Sequence, residues 1–313
     1  MLIHILFFVI GLGIVMETSE LAVRNAAILA RKLKVNEYVV GFLIVAIISV
    51  FPEMVIAIMS SVQGVPSLGL GTLLGSNVAD LTLVFATVVL VSGRNLNVSS
   101  AVLRGNQLYL GLLILPLLLG IDGYYSRFDG GVLIVVGVLF YYFLLRQHRG
   151  VGLPTASPPE PRQPLLRPLI IFITSIILLL AGSSLAVAYG QVLAVDLSVP
   201  PMLVGLIVLG IGTTVPELFF SLRASQSQHD SLALGDILGT VITDATLVIG
   251  VLAMLQPFAF DPKLIIVTGL FMVFAAALLF SLMRSDKLLT KNESILLILF
   301  YCLFALTEWF LSH

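Results

Sequence analysis

The sequence predicts an all-α polytopic membrane protein with ten transmembrane helices, arranged as two inverted five-helix repeats. Three observations carry this prediction: long apolar runs, an internal repeat, and basic residues concentrated on one side of the predicted topology. Of the 313 residues, 59% are hydrophobic and 11% are charged. A water-soluble protein of this size carries about 25% charged residues, so the composition excludes a soluble globular domain.

Apolar runs long enough to cross a bilayer are separated by short polar, glycine or proline breaks. They predict helices over 2–29, 38–62, 68–93, 106–121, 130–146, 167–189, 200–225, 231–256, 262–283 and 292–311. One long polar connection, 147–166, is rich in proline, arginine and glutamine. We therefore predict a first repeat over 1–146, a cytoplasmic linker over 147–166 and a second repeat over 167–313.

The stretch 205–248 repeats an earlier stretch of the chain without a gap. A shift of 164 positions pairs identical residues: Gly205 with Gly41, Pro216 with Pro52, Glu217 with Glu53, Gly235 with Gly71, Gly239 with Gly75, Asp244 with Asp80 and Thr246 with Thr82. Because five helices are an odd number, the second copy must cross the membrane in the opposite sense. The glycines at 71, 75, 235 and 239 recur at every fourth position and predict close helix packing.

Basic residues test the predicted topology. If the N-terminus lies outside, the outer connections hold Arg127 and Lys263. The cytoplasmic connections hold thirteen: Arg31, Lys32, Lys34, Arg94, Arg104, Arg146, Arg149, Arg162, Arg167, Arg223, Arg284, Lys287 and Lys291. This bias follows the positive-inside rule and predicts a multi-pass protein of the cell membrane with its N-terminus outside.

Four acids interrupt the apolar runs at repeat-related positions. Glu53 and Asp80 lie near the middle of the second and third predicted helices, and Glu217 and Asp244 lie likewise in the seventh and eighth. An ionised carboxylate at the bilayer centre costs at least about 2.5 kcal/mol, so each should face a partner, a cation or a water-filled cavity. A protonated helix–helix hydrogen bond would explain one such acid. Four at a repeated spacing indicate a shared ion site.

A proline precedes each glutamate. Pro52 and Pro216 lack an N–H group, and their rings clash with the carbonyls four residues back, at Ile48 and Gly212. A simple kink is the alternative, but the repetition beside a buried acid favours helices that open and expose carbonyl oxygens. Irregular backbone at this depth is tolerated where it lines a cavity or is buried in protein.

Hydroxyl and amide groups accompany the acids: Ser49, Ser76, Asn77, Thr213, Thr214 and Thr240. Carboxylate, hydroxyl and carbonyl oxygens are hard ligands, which suit Ca²⁺ and Na⁺ rather than soft metals. The hydroxyls of Ser49 and Thr240 can instead bond a carbonyl of their own helix. The residues therefore predict a hard-cation site.

Two motifs resemble signatures of the sodium/calcium exchanger family, within the cation/calcium exchanger superfamily. Gly-Thr-Thr-Val-Pro-Glu at 212–217 resembles the second signature, and Val-Phe-Pro-Glu at 50–53 with Gly-Ser-Asn-Val-Ala-Asp at 75–80 resembles the first. The likeness covers both repeats, and the chain is similar to prokaryotic-type members of the family, which have ten helices. It implies electrogenic antiport, in which several Na⁺ ions enter for one Ca²⁺ that leaves, by alternating access. It implies no cofactor and no enzymatic activity, and a monomer that suffices for transport.

The resemblance also implies a ligand set. In the first repeat the family's ligand positions fall on Ala46 (carbonyl), Ser49, Val50, Glu53, Ser76 and Asp80. In the second they fall on Gly210 (carbonyl), Thr213, Thr214, Glu217, Thr240 and Asp244. Glu53 and Glu217 would bridge Ca²⁺ from opposite sides, with the aspartates lining the middle of the site. The implied partners are Ca²⁺, Na⁺ and the lipid bilayer, and nucleic acid is not among them.

Two positions depart from the family pattern. Val50 supplies no hydroxyl where the family has one, which affects a sodium site. Asp80 stands where many sodium-coupled members have Asn, so four acids share the site. Bound Ca²⁺ neutralises two of them, and crowded carboxylates do not all stay ionised, so we expect Asp80 or Asp244 to be protonated in some states. K⁺ or H⁺ coupling stays open, although the Gly-Asn-Ala-Thr-Glu signature of proton/calcium exchangers is absent.

Other functions compete with sodium/calcium exchange. The same fold could move another divalent cation or act as a channel, although broken helices at a fixed midplane site favour alternating access. An intramembrane aspartyl protease would also use paired membrane aspartates. That function needs Gly-x-Gly-Asp, and the nearest run, Ala-Leu-Gly-Asp at 233–236, lacks the first glycine.

In the first helix, Glu20 and Arg24 are spaced for a salt bridge on one helix face.

Overall fold

The computed structural model describes residues 2–33, 37–50, 53–54, 57–58, 61, 66–98, 103, 106–148, 164–196, 214–260, 262–285 and 287–311. Within these residues the chain is mainly helical, as predicted, because its apolar runs satisfy their own backbone hydrogen bonds only as helices in a membrane. The predicted linker lies largely outside the described residues, so the division into two repeats and a linker stays a prediction at its boundaries.

The helical segments of the first repeat are α1 (Leu2–Leu33), α2 (Glu37–Val40, a π-helical turn Gly41–Val45, then Ala46–Ser49), α3 (Pro66–Ala79, a π-helical turn Asp80–Val84, then Phe85–Ser92), α4 (Asn106–Leu119) and α5 (Arg127–His148). Those of the second are α6 (Leu166–Asp196), α7 (Val215–Gln226), α8 (Asp230–Thr243, a π-helical turn Asp244–Val248, then Ile249–Leu255), α9 (Pro262–Leu264, a π-helical turn Ile265–Gly269, then Leu270–Arg284) and α10 (Lys291–Leu311).

Within the described residues, five helices are long and apolar enough to cross a membrane: Gly69–Ser92, Arg127–Arg146, Asp230–Leu255, Ile265–Arg284 and Lys291–Phe310. Shorter apolar helices cover Leu2–Gly11, Gln107–Leu119 and Leu166–Gly182. These helices agree with the prediction that the chain is a membrane protein. The count of ten crossings stays a prediction, because the second and seventh segments include residues outside the described part of the chain.

The two repeats run in opposite directions. Arg94 follows the C-terminal end of α3, and its guanidinium group pairs with the carboxylate of Asp230 at the start of α8. Since α8 is the repeat partner of α3, one helix ends on the face where its partner begins. The contact therefore supports the predicted inversion of the second repeat.

Two short antiparallel strand pairs join the repeats at opposite ends of the bundle. β1 (Leu96–Asn97) pairs with β4 (Leu288–Leu289), and β2 (Tyr124–Tyr125) pairs with β3 (Phe258–Ala259). The sequence analysis did not predict them, because two-residue strands have no alternating pattern to detect. Each pair links a connection of one repeat to a connection of the other.

The helices α2 and α8 pack with their backbones in contact. A Cβ atom added at Gly235 would lie 2.3 Å from the carbonyl oxygen of Tyr38, and one at Gly239 would lie 2.6 Å from the Cβ atom of Ala46. The packing role predicted for these two glycines is confirmed. At Gly75 an added Cβ would meet no atom of the described residues within 4 Å, so that role stays a prediction. Outside this core, α1 packs along α6.

Candidate ion-binding site

The four predicted acids are buried inside the bundle. Glu53 is 2% exposed, Asp80 and Glu217 are each 1% exposed, and Asp244 is fully buried. Among the described residues, hydrogen-bond partners are missing for Oε2 of Glu53, Oδ1 of Asp80 and both carboxylate oxygens of Glu217 and Asp244. Because a buried polar atom without a partner costs free energy, these oxygens are suited to bind a cation.

Glu217 connects the acids of the two repeats electrostatically. It interacts with Glu53, Asp80 and Asp244, and the charged groups that act on Glu53 are the other three acids. The structure thus brings together the four carboxylates that the repeat spacing predicted. Like charges buried in one low-dielectric region repel each other, and a bound cation relieves that repulsion.

The predicted hydroxyl ligands lie beside the acids. The Ser49 hydroxyl oxygen lies 3.3 Å from that of Thr240 and 3.2 Å from the carbonyl oxygen of Ala46, and Ser49 is also close to Glu217. Ser76 donates to the carbonyl of Leu73 over 3.1 Å. A hydroxyl that donates its proton keeps its oxygen lone pairs, so both serines can still bind a cation.

Other predicted ligands are less directly placed. The Ala46 carbonyl also accepts the Val50 N–H over 3.1 Å, so its two lone pairs are both engaged and a cation there must displace the Ser49 hydroxyl. Thr214 is buried at the start of α7, whereas Gly210 and Thr213 lie outside the described residues. The structure therefore leaves the carbonyl part of the predicted ligand set untested.

The backbone departs from a regular α-helix at the two aspartates. Asp80 and Asp244 each begin a five-residue π-helical turn at the same repeat position. Such turns often occur at functional sites, because the wider turn shifts the following side chains and frees backbone groups. Near the prolines, α7 begins at Val215 with Pro216 in its first turn. Gly212, whose carbonyl the Pro216 ring is predicted to free, lies outside the described residues, so the opening stays a prediction. Pro52 lies outside the described residues.

A fifth buried carboxylate belongs to the same region, and sequence reasoning did not select it. Asp236 is fully buried; its Oδ2 accepts a hydrogen bond from Ser221 over 3.0 Å. It interacts electrostatically with Glu217 and Asp80. Because Asp236 lies inside the predicted eighth transmembrane helix, it could have been selected as a buried acid from the sequence. Because Thr72 is its counterpart in the first repeat, the repeat comparison did not reveal it.

Within the described part of the chain, no three His, Cys, Asp or Glu side chains form a compact metal cluster. The four acids of the implied ligand set therefore share one buried region, but three of their carboxylates do not converge on a single point in this structure. The Glu20 and Arg24 side chains approach to 3.9 Å in the C-terminal half of α1, and both are more than half exposed. This predicted salt bridge is confirmed and lies outside the acid group.

Comparisons with known proteins agree with this architecture. The sequence model of the family described as sodium/calcium exchanger protein matches residues 3–146 and 167–310. The putative antiporter CaxA of Alkalimonas amylolytica is 30% identical over 273 residues, which cover 83% of each chain. The sodium/calcium exchanger MaX1 of Methanosarcina acetivorans is 20% identical in an alignment of 348 positions, gaps included, that covers 99% of each chain.

Solved structures show the same fold. A structure of the sodium-calcium exchanger NCX_Mj, soaked with Na⁺ and Sr²⁺, superposes with a TM-score of 0.82 at 22% identity and covers 96% of this chain and 97% of that one. The predicted fold class, a helical membrane protein with two repeats, is therefore confirmed, as is the resemblance found in the motifs. The chain belongs to the sodium/calcium exchanger protein family.

Proposed function

We propose that this protein is a secondary active antiporter that exchanges Na⁺ for Ca²⁺ by alternating access. The observation that carries the proposal is the group of four buried acids, two from each repeat, with carboxylate oxygens that lack partners among the described residues. Relatives named as an antiporter and as a sodium/calcium exchanger support it.

In this proposal Glu53 and Glu217 bridge Ca²⁺, because each repeat contributes one of them to the same buried region. The remaining proposed ligands are Asp80, Asp244, Ser49, Ser76, Thr213, Thr214, Thr240 and the carbonyls of Ala46 and Gly210. Their oxygens replace the hydration shell of the ion, as Ca²⁺ requires six to eight oxygen ligands.

The buried charge also explains why exchange is coupled. A site with several carboxylates and no bound cation is costly to move through the low-dielectric centre of the membrane. The protein therefore changes its accessible side readily when either Ca²⁺ or several Na⁺ ions neutralise the acids. This preference makes the movement of one ion depend on the other.

The resemblance to the family implies that α1 and α6 slide across the core bundle, so we propose them as the moving element. They pack along each other and form an apolar cluster of their own with α7 and the beginnings of α2 and α8. On α1, Ala22, Ala26 and Ala30 are fully buried in this cluster. Small side chains give a smooth surface with few interlocking contacts, which favours sliding against the core bundle.

A second candidate keeps the fold and changes the coupling ion to K⁺ or H⁺, or the cargo to another divalent cation. Two residues favour considering it. Val50 has no hydroxyl for a sodium site, and Asp80 adds a carboxylate that can bind a proton or a further cation. Direct flux measurements distinguish the two candidates.

The test is ion flux in proteoliposomes. Vesicles loaded with Na⁺ are diluted into Na⁺-free buffer with radioactive Ca²⁺, and the assay is repeated with a K⁺ gradient or a pH gradient alone. We expect uptake that requires internal Na⁺. Uptake that follows the pH gradient and ignores Na⁺ would refute Na⁺ coupling, and uptake that needs no counter-ion would indicate a channel.

Two substitutions test the site in the same assay. Glu53→Gln and Glu217→Gln should each abolish Ca²⁺ uptake, because each removes a proposed bridging carboxylate. Asp122→Asn is the control, since Asp122 is an exposed acid in the connection between α4 and α5, and it should transport normally. Preserved transport in either site variant would overturn the ligand assignment.

The orientation is part of the proposal. We infer that the face carrying Arg94 and Asp230 is cytoplasmic, from the positive-inside bias. An impermeant maleimide applied to intact cells should fail to label Gln226→Cys, which lies on that face. The variant is made in a Cys302→Ser background, because Cys302 is the one cysteine of the sequence. Labelling from outside would reverse the assignment.

A further inference from the structure

Asp236 and Ser221 form a buried acid–hydroxyl pair that occurs in only one of the two repeats. Both residues are fully buried, and the Ser221 hydroxyl donates to Oδ2 of Asp236 over 3.0 Å. The repeat-related positions hold Thr72 and Ala57, so the first repeat has no carboxylate there. Because the repeats are inverted, the pair lies on one side of the four acids without an equivalent on the other.

The pair lies between the four acids and the face that carries Arg94. Ser221 follows Glu217 by four residues on α7, so it occupies the same helix face one turn nearer that side. Asp236 precedes Asp244 by eight residues on α8, which is about 12 Å along the helix axis, and it follows Asp230 by about 9 Å. An ion that travels between the Arg94 face and Asp244 must cover the depth at which Asp236 lies.

The chemistry of the pair suits a cation. Oδ1 of Asp236 has no hydrogen-bond partner among the described residues, although it is buried. Asp236 repels Glu217 electrostatically, and Ser49 is close to both carboxylates. A divalent cation near these oxygens would relieve the repulsion and satisfy the open lone pairs with the hard ligands that it prefers.

We propose that Asp236, oriented by Ser221, is a relay site for the divalent cation between the Arg94 face and the four central acids. The inference rests on the proposed transport of Ca²⁺ and adds a ligand outside the set implied by the family. Asp236 replaces part of the hydration shell before the ion reaches Glu217. Since the first repeat offers no such acid, the path to the opposite face lacks this step, and the two faces differ in their apparent affinity for Ca²⁺.

The experiment compares Ca²⁺ uptake from each face, in vesicles of both orientations whose sidedness is established by maleimide labelling of Gln226→Cys in the Cys302→Ser background. With Asp236→Asn, the KM for Ca²⁺ at the Arg94 face should rise about tenfold. The KM at the opposite face and the maximal rate at saturating Ca²⁺ should stay within about twofold. Ser221→Ala should raise the KM at the same face by about threefold, since it removes only the orienting hydrogen bond.

The matched control is Thr72→Asn, the repeat-related position in α3, which should leave the KM at both faces unchanged. An unchanged KM in Asp236→Asn, or an equal shift at the two faces, would overturn the relay site while leaving Ca²⁺ transport intact. A loss of maximal rate with unaltered KM would also overturn it, because that result indicates a purely structural role. A wild-type protein that moves no Ca²⁺ would overturn both the proposed function and the relay.

Discussion

The hydroxyl oxygens of Ser49 and Thr240 lie 3.3 Å apart and join α2 of the first repeat to α8 of the second. Both residues are buried, and the Ser49 hydroxyl also bonds the carbonyl of Ala46. The contact therefore links three proposed ligands across the seam between the repeats. Because the seam is made by both repeats, neither could form this part of the site alone.

The Ser49–Thr240 contact predicts coupled effects on Ca²⁺ affinity. Ser49→Ala and Thr240→Val should each raise the KM for Ca²⁺ by about three- to tenfold, because each removes a hydroxyl oxygen. In the double variant the two effects should combine to less than their product, since the residues share a contact. Ser184→Ala, an exposed hydroxyl bonded to its own helix, is the control. A purely multiplicative result in KM measurements would contradict the shared contact.

The buried acids should differ in how much each contributes to Ca²⁺ uptake. The family resemblance places Asp80 where many sodium-coupled members have Asn. Asp80→Asn should therefore retain Na⁺-driven uptake within about tenfold of the wild-type rate, which corresponds to a change of about 1.4 kcal/mol in the activation free energy. Glu53→Gln removes a proposed bridging ligand and should lower uptake more than about a hundredfold. Radioactive Ca²⁺ uptake in proteoliposomes measures both. Equal losses in the two variants would show that Asp80 is as indispensable as Glu53.

Val50 offers a gain-of-function test. Its side chain is 2% exposed and it follows Ser49 directly, so Val50→Thr adds a hydroxyl of similar shape at a proposed sodium-ligand position. We expect the Hill coefficient for Na⁺-driven Ca²⁺ uptake to rise by about one, as one further Na⁺ ion is bound. Val89→Thr, which is fully buried on α3, is the control and should leave the coefficient unchanged. If Val50→Thr behaves like that control, Val50 does not line a sodium site.

The contact between α2 and α8 predicts a steric effect. Gly235→Ala should destabilise the protein strongly, because its Cβ would lie 2.3 Å from the Tyr38 carbonyl oxygen and 2.8 Å from the Phe42 nitrogen. Overpacking of this kind costs about 1–3 kcal/mol. Gly111→Ala should be neutral or stabilising by up to about 1 kcal/mol, because an added Cβ there meets no described atom within 4 Å. Thermal unfolding in detergent measures both, and equal melting temperatures would contradict the close packing.

The ion pair of Arg94 and Asp230 should stabilise the fold more than that of Arg24 and Glu20. Asp230 accepts hydrogen bonds from Arg94 and from both the backbone and the side chain of Asn97, and its side chain is 8% exposed. A double-mutant cycle with Arg94→Gln and Asp230→Asn should give a coupling energy of about 0.5–3 kcal/mol. The same cycle at Arg24 and Glu20, whose side chains are more than half exposed, should give less than about 1 kcal/mol. The reverse order in unfolding measurements would refute this ranking.

The four central acids could be predicted because an ionisable side chain inside an apolar run is costly whatever surrounds it. The repeat spacing then supported them in pairs. The π-helical turns at Asp80 and Asp244 could not be predicted, since such a turn is set by helix packing and has no residue pattern of its own. The likeness of the two copies also concealed Asp236, because a comparison of repeats detects what both copies share.

By itself the sequence determined the membrane class, the two related halves and the acids that they share. These properties follow from hydrophobicity and residue order, which are read directly along the chain. The tertiary structure alone decided that Asp236 interacts electrostatically with Glu217 and that the backbones of α2 and α8 come into contact at Gly235. It also decided that Arg94 pairs with Asp230, 136 residues away in the chain. Such contacts depend on the packing of helices that are distant in the chain, and a buried charge or an added methyl group has its effect only through them.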